Sequence, residues 1–195
     1  MPGVCTYDSH EHPLPACAAV ARLLNRALRV RSSPRILLIM GVAGSGKTTL
    51  GQRAAAALGW PYFEADDFHS AANKAKMAGG TPLNDEDRAP WLAAIRAKMN
   101  ATIDAGRSAV FTCSALKEKY RQVLAGDAQH PVAIVFLNGD YETILARVGR
   151  RKGHFMKADL VRSQFEALEH PKDALELDIR ESPDVLLGKI LAAVQ

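Results

Sequence analysis

The chain has 195 residues, 48% of them hydrophobic and 24% charged, with a formal net charge of +4. This is the composition of a soluble globular domain able to bury one large core. The weak positive balance suits an anionic ligand. It lacks the dense basic stripe of a nucleic-acid binder, and no apolar run reaches the length of a membrane span. Cys5, Cys17 and Cys113 are odd in number and not at metal-ligand spacing, which points to buried thiols in a reducing, cytoplasmic compartment.

In chain order, an arm and a helix over 1–34 precede a single domain expected over 35–195. Met1 to Pro15 is rich in Pro and His and has no periodicity. Ala16 to Val30 carries Val20, Leu23, Leu24 and Leu28 at helical spacing, with Arg22, Arg26 and Arg29 largely opposite. Its arginines partly fit a targeting peptide, but Asp8, Glu11 and the prolines ahead of it favour a helix packed on the domain. From Arg35 onward strand and helix signals alternate, which predicts βα units and a mainly parallel sheet. Strands are expected at 35–40, 61–65, 109–113, 132–137 and 175–179, and helices at 47–58, 71–77, 86–104, 117–124, 141–151, 158–168 and 183–194. Asp140 and Ser182 read as N-caps, Gly59 as a helix stop, and Gly79-Gly80-Thr81-Pro82 as a loop between helices.

The run Gly41-Val42-Ala43-Gly44-Ser45-Gly46-Lys47-Thr48 fits G-x-x-x-x-G-K-[ST] and follows the apolar run Ile36–Met40 directly. A buried strand, a glycine-rich turn and a helix are the context a phosphate-binding loop requires. Glycines let successive N–H groups point at phosphate oxygens, and the helix N-terminus adds its partial positive charge. Residues 41–49, through Thr49, therefore form the expected ATP contact. Lys47 reaches the β- and γ-phosphates and the Thr48 hydroxyl is offered to Mg²⁺.

The loop alone does not separate kinases from switches and motors. Asn73-Lys74-Ala75-Lys76 lacks the aspartate of a guanine-reading motif, and the strand at 109–113 ends in Cys113-Ser114 rather than a metal-holding acid. The short chain leaves no room for a lever domain. What remains is a small kinase, with its acceptor beside Phe63-Glu64-Ala65-Asp66-Asp67-Phe68-His69 at the carboxyl end of the second strand. Glu64 lies on one strand face two residues before Asp66 and is the candidate for holding Mg²⁺-bound water. His69 reads either as a partner of a sugar hydroxyl or as a structural histidine. The run Arg147-Val148-Gly149-Arg150-Arg151-Lys152-Gly153-His154-Phe155 reads as a helix end and a mobile lid, approximately 147–157, that carries cations onto the transferring phosphate.

The loop, Ala65-Asp66-Asp67-Phe68-His69 with Asn73 and Lys76-Met77, and the block Pro82-Leu83-Asn84-Asp85-Glu86-Asp87-Arg88-Ala89-Pro90-Trp91-Leu92 resemble the gluconate kinases of the phosphate-loop type. The resemblance continues at Cys113-Ser114-Ala115-Leu116-Lys117 with Tyr120-Arg121, at Arg151-Lys152-Gly153-His154-Phe155, and at Gln164-Phe165-Glu166. It implies the nucleoside-monophosphate-kinase type of phosphate-loop fold, with five strands, flanking helices and a lid. It also implies ATP- and Mg²⁺-dependent phosphorylation of D-gluconate at its 6-hydroxyl by a homodimer. Asp66 then matches the acid placed against the acceptor hydroxyl, and Arg88 is positioned to fork onto the gluconate carboxylate. His69, Lys117, Arg121 and His154 complete the expected acceptor contacts, although Lys117 and Arg121 equally fit a solvated helix face. Arg151 is assigned to the phosphates and Arg147 to stacking on adenine. Ser70 stands where the family has proline, and Pro90 is tolerable if it falls in the first turn of its helix. Two other readings compete: a kinase for shikimate, adenylylsulfate or a nucleoside monophosphate, and a nucleotide-binding regulator.

Overall fold

Five apolar residues in a row, with no polar alternation, predict a strand covered on both faces. In the computed structural model β1 (Ile36–Met40) is that strand, and all five side chains are buried. The structure describes residues 35–127, 129–150 and 157–194. The arm and helix expected over 1–34 lie outside these, as do residues 151–156 of the expected lid.

Four more strands join β1: β2 (Tyr62–Glu64), β3 (Ala109–Cys113), β4 (Val132–Asn138) and β5 (Leu175–Asp178). Their order is β2-β3-β1-β4-β5 and every pairing is parallel. Met40 is in register with Cys113 and with Phe136, so the carboxyl ends of the central strands finish together. Alternate side chains of β1 enter two separate cores. Leu37 and Ile39 pack with Leu50 and Ala54 of α1 (Lys47–Leu58), with Ile144 of α5 (Tyr141–Gly149), with Val161 of α6 (Lys157–Glu166), and with Leu186 and Ile190 of α7 (Pro183–Val194). Ile36, Leu38 and Met40 pack with Trp91, Ile95 and Met99 of α3 (Asp85–Asp104) and Leu124 of α4 (Glu118–Ala125). The result is a parallel sheet between two helical layers, the α/β class predicted from the alternation.

Element ends follow local chemistry. Asp140 accepts from Thr143 N at 2.7 Å and Ser182 from Val185 N at 3.4 Å, and Gly59 ends α1 with φ 68. Ser70 caps α2 (Ala71–Ala78) by accepting from Asn73 N at 3.1 Å, so this departure from the family pattern supplies a good N-cap. The strand expected to reach residue 65 stops at Glu64, because Ala65–Phe68 closes into a 3₁₀ turn. Helix α3 starts at Asp85, one residue earlier than expected, under a capping box. Asn84 accepts from Asp87 N at 2.8 Å and the Asp87 carboxylate accepts from Asn84 N at 2.9 Å. Pro90 lies in the second turn of α3, not the first, and removes one donor from the helical ladder. Helix α5 ends at Gly149 and α6 at Glu166, both two residues short of the expected ends.

Candidate active site

The chain leaves β1 into a loop shaped by close contacts rather than by long side chains. Gly41 (φ 146) runs so near β4 that a Cβ there would stand 2.8 Å from Leu137 O and 2.9 Å from Ser45 Oγ. Gly44 (φ 86) faces α5, and its Cβ would meet Val148 Cγ2 at 2.5 Å. Both positions combine left-handed backbone with close approach, which only glycine accommodates. Gly46 (φ 101) then starts α1, with open space where a side chain would be. Lys47 Nζ donates to Gly41 O and Val42 O, each at 3.0 Å, which lays the ammonium across the mouth of the loop. Ser45 Oγ is buried and has no hydrogen-bond partner among the described residues. An ammonium, a helix N-terminus and an orphaned buried hydroxyl in one glycine cradle fit a polyphosphate chain.

Thr48 connects this loop to β2. Its Oγ1 donates to Glu64 Oε2 at 3.0 Å, while Thr112 Oγ1 donates to Glu64 Oε1 at 2.6 Å and the Tyr62 hydroxyl donates to Glu64 Oε2. Burial and the Glu64 carboxylate push the Tyr62 phenol up to about 12. With its proton directed at Glu64, Thr48 Oγ1 keeps its lone pairs for a cation. No cluster of three or more His, Cys, Asp or Glu among the described residues could cage a metal by itself. The Thr48 hydroxyl beside the Glu64 carboxylate is an all-oxygen pair of the kind that fits Mg²⁺, which keeps waters and takes phosphate oxygens.

Beyond β2, where the acceptor was expected, side chains hold one another. Trp91 Nε1 donates to Ala65 O at 2.8 Å and pins the 3₁₀ turn that exposes Asp66. The Cys113 thiol, raised to about 12 by burial, lies within the electrostatic reach of Lys47, Asp66 and Glu64. Glu64 pairs with Thr112 near the carboxyl end of β3, and Asp66 follows it two residues on in the 3₁₀ turn. The His69 ring stacks on Trp91 at 4.4 Å with 10° between planes, and its Nδ1 is buried without a partner among the described residues. Burial holds this imidazole below its ordinary pKa. Lys74 and Arg88 add to that shift and Asp66 opposes it. Arg88 Nη1 donates to the Tyr120 hydroxyl at 3.0 Å, and the guanidinium lies 5.6 Å from that ring's centroid. The Tyr120 hydroxyl donates to Asp85, which also receives Lys119 at 2.5 Å and faces Lys117 at 3.8 Å. Asp85 is held down to about 2, chiefly by Lys119 and then by Tyr120.

Lys117 and Arg121 do not share one exposed helix face. Lys117 is the N-cap of α4, whereas Arg121 is buried and turned inward. Arg121 donates to Ala115 O at 3.1 Å, to Leu116 O at 2.8 Å and to Glu118 Oε2 at 2.6 Å. It thereby fixes the bend at Ala115 (φ 45), the one non-glycine residue with positive φ among the described residues. Arg147 Nη2 donates to Ile179 O at 2.6 Å, beside a cleft of about 480 Å³ lined by Asn138, Gly139, Asp140, Phe165, Asp178 and Arg180. Arg151 and His154 lie outside the described residues.

Sequence reasoning gave no role to Tyr62, Thr112, Tyr120, Asp85 or Gln164. Gln164 on α6 accepts from Ala43 N at 2.6 Å, so the phosphate loop is tied to that helix. Tyr62 and Glu64 share a strand face by alternation, a signal present in the sequence. Thr112 reaches Glu64 only because β2 and β3 pair in that register.

A phosphate loop facing an acid-bearing turn at the carboxyl edge of a parallel sheet defines a phosphate-loop kinase. A family model described as an AAA domain matches residues 36–172. The chain is 42% identical to a probable gluconokinase of Mus musculus, across 83% of this chain and 96% of the relative. It is 45% identical to the thermosensitive gluconokinase of Escherichia coli (strain K12), across 73% of this chain and 78% of that one. The crystal structure of a gluconokinase from Sinorhizobium meliloti 1021 superposes with a TM-score of 0.74 at 37% identity, covering 83% of this chain and 92% of that chain. The chain belongs to the gluconokinase family.

Proposed function

We infer that this chain transfers the γ-phosphate of ATP to the 6-hydroxyl of D-gluconate, giving 6-phospho-D-gluconate and ADP. The observation that carries this reading is the Thr48–Glu64 hydrogen bond, which ties the phosphate loop to the end of β2 two residues ahead of Asp66. Phosphoryl transfer needs little covalent help from a protein, so positioning and charge dominate. Residues 41–49 hold the β- and γ-phosphates. Asp66 orients the 6-hydroxyl and takes its proton as that oxygen bonds to the γ-phosphorus and the bond to the ADP oxygen breaks. Arg88, held by Tyr120 and with Asp85 nearby, is aimed at the gluconate carboxylate, and Lys117 adds charge there. His69 fixes a sugar hydroxyl from its place against Trp91. Arg121 serves the acceptor side through the 115–116 bend it holds.

Thr48 and Glu64 would hold Mg²⁺, which when bound would neutralise negative charge on the phosphates. Arg147, next to the cleft beside Ile179, is assigned to adenine. Arg151 is assigned to the transferring phosphate and His154 to the acceptor, and both assignments rest on the lid motif and the family resemblance. A cytoplasmic homodimer completes the reading. The homodimer rests on the resemblance. The location rests on the thiols and on the fact that no helix among the described residues is long and apolar enough to cross a membrane.

The test is a coupled assay with ATP, Mg²⁺ and D-gluconate, reading 6-phosphogluconate through its dehydrogenase. Turnover that vanishes without Mg²⁺ supports the reading. Faster phosphorylation of shikimate or adenylylsulfate would move the chain to a neighbouring kinase activity. Bound ATP with no acceptor product would point to a regulator.

A further inference from the structure

Glu64 accepts three hydroxyl hydrogen bonds, and only the one from Thr48 comes from the phosphate loop. The other two come from the sheet. Tyr62 stands two residues earlier on the same strand face, and Thr112 lies opposite Glu64 in the β2–β3 register. Their own oxygens are 2.8 Å apart, so the two hydroxyls and the carboxylate form a closed set. Helix α1 makes room for it. Gly51 is buried in the helix interior, and a Cβ there would stand 2.6 Å from Thr112 Cγ2 and 2.8 Å from Tyr62 Cε2. A helix interior disfavours glycine, and here the two hydroxyl-bearing side chains account for it.

We propose that Tyr62 and Thr112 are positioning residues that hold the Glu64 carboxylate against the Thr48 hydroxyl and so set the affinity of the site for nucleotide-bound Mg²⁺. The proposal rests on the reading of Thr48 and Glu64 as the Mg²⁺ site. A threonine hydroxyl has one proton, and its lone pairs face a cation only while that proton is drawn elsewhere. Glu64 Oε2 draws it, but a glutamate carboxylate turns freely about its terminal torsion unless it is held. Thr112 fixes Oε1 and Tyr62 shares Oε2 with Thr48, so rotation of the carboxylate breaks two bonds at once. Groups behind a metal ligand commonly tune affinity in this way.

The experiment uses the full chain as Tyr62→Phe, Thr112→Val, the double variant and Glu64→Gln. The first two changes are near-isosteric and keep the packing against Gly51: Tyr62→Phe removes a hydroxyl, and Thr112→Val puts a methyl in place of one. Affinity for a non-hydrolysable ATP analogue is measured by fluorescence displacement across a Mg²⁺ titration. The thermal midpoint without Mg²⁺ reports the fold. Tyr62→Phe and Thr112→Val are each expected to raise the half-saturating Mg²⁺ about tenfold while leaving Mg²⁺-free affinity nearly unchanged. The double variant should fall short of the product of the two, because both groups hold one carboxylate. If Glu64→Gln shifts the Mg²⁺ requirement and the two hydroxyl variants do not, the clamp is overturned and the Mg²⁺ site stands. If Glu64→Gln shifts nothing either, the Mg²⁺ site itself is wrong and the clamp falls with it. Equal losses of Mg²⁺-free affinity and thermal midpoint in the hydroxyl variants would make their role packing alone, which also overturns the proposal.

Discussion

The nucleotide side and the acceptor side of this site are built from different materials. The phosphate loop is mostly backbone, with Gly41 and Gly44 pressed against Leu137 and Val148 so closely that no side chain fits. The acceptor side is mostly side chain, a linked set in which Arg88, Tyr120, Asp85 and Lys119 restrain one another. A backbone cradle has one shape and tolerates little change. A network of side chains can be retuned one residue at a time, which suits the half proposed to choose the acceptor.

That contrast makes graded predictions. Lys47→Ala removes a charge from the rigid half and should lower kcat/KM by about a thousandfold or more, as loss of a preorganised phosphate contact does. Near-normal turnover would dissolve the distinction between the halves. Asp66→Asn keeps the shape of the 3₁₀ turn and loses its proton acceptor. Steady-state kinetics should show kcat down about a hundredfold, with ATP affinity close to the parent. Loss of ATP binding alone would move Asp66 to the nucleotide side. Arg88→Lys keeps a charge but not the planar fork, so KM for gluconate should rise roughly tenfold with kcat far less affected. An unchanged KM would detach the Tyr120 network from acceptor recognition.

The smallest effect concerns His69, whose pKa lies below the ordinary 6.5. The folded imidazole is neutral at pH 7, and on acidification the unfolded chain takes up its proton first. Stability contributed by the neutral ring is therefore present above pH 6.5 and declines as pH falls below it. Protonation against the stacked Trp91 should also quench tryptophan emission in that acid range. His69→Gln should remove the pH-dependent part of the emission, and an identical titration in the variant would place the titrating group elsewhere.

The sheet and its helices were largely legible because their signals are local. An unbroken apolar run marks β1, and Ser182, Asp140 and Gly59 mark helix ends through contacts within a few residues. Lys47, Thr48 and Glu64 were legible for a related reason, since a motif and a strand alternation place them. The early stop of β2 was missed because it depends on a one-residue shift, which the bond from Trp91, distant in sequence, accompanies. The one-residue earlier start of α3 goes with the local Asn84–Asp87 box. Arg121 was expected either at the acceptor or on a solvated helix face, and its inward turn was hidden because nothing in its own helix reveals that Ala115 O and Leu116 O accept from it. Thr112 and Gln164 became visible only once strands and helices distant in sequence were paired.

The phosphate loop is written early in the chain and completed late. Gly41 takes its shape against Leu137, Gly44 against Val148, and the Ala43 amide waits for Gln164, 121 residues further on. As the chain emerges from the ribosome, the most recognisable motif of the protein has its sequence long before it has its walls. β1 itself must wait for β3 and β4 to flank it. Parallel pairing of this kind is slow, because distant segments must meet before any contact rewards them. Nucleotide binding is thus expected only after the segment through Gln164 has been made and folded back onto the loop.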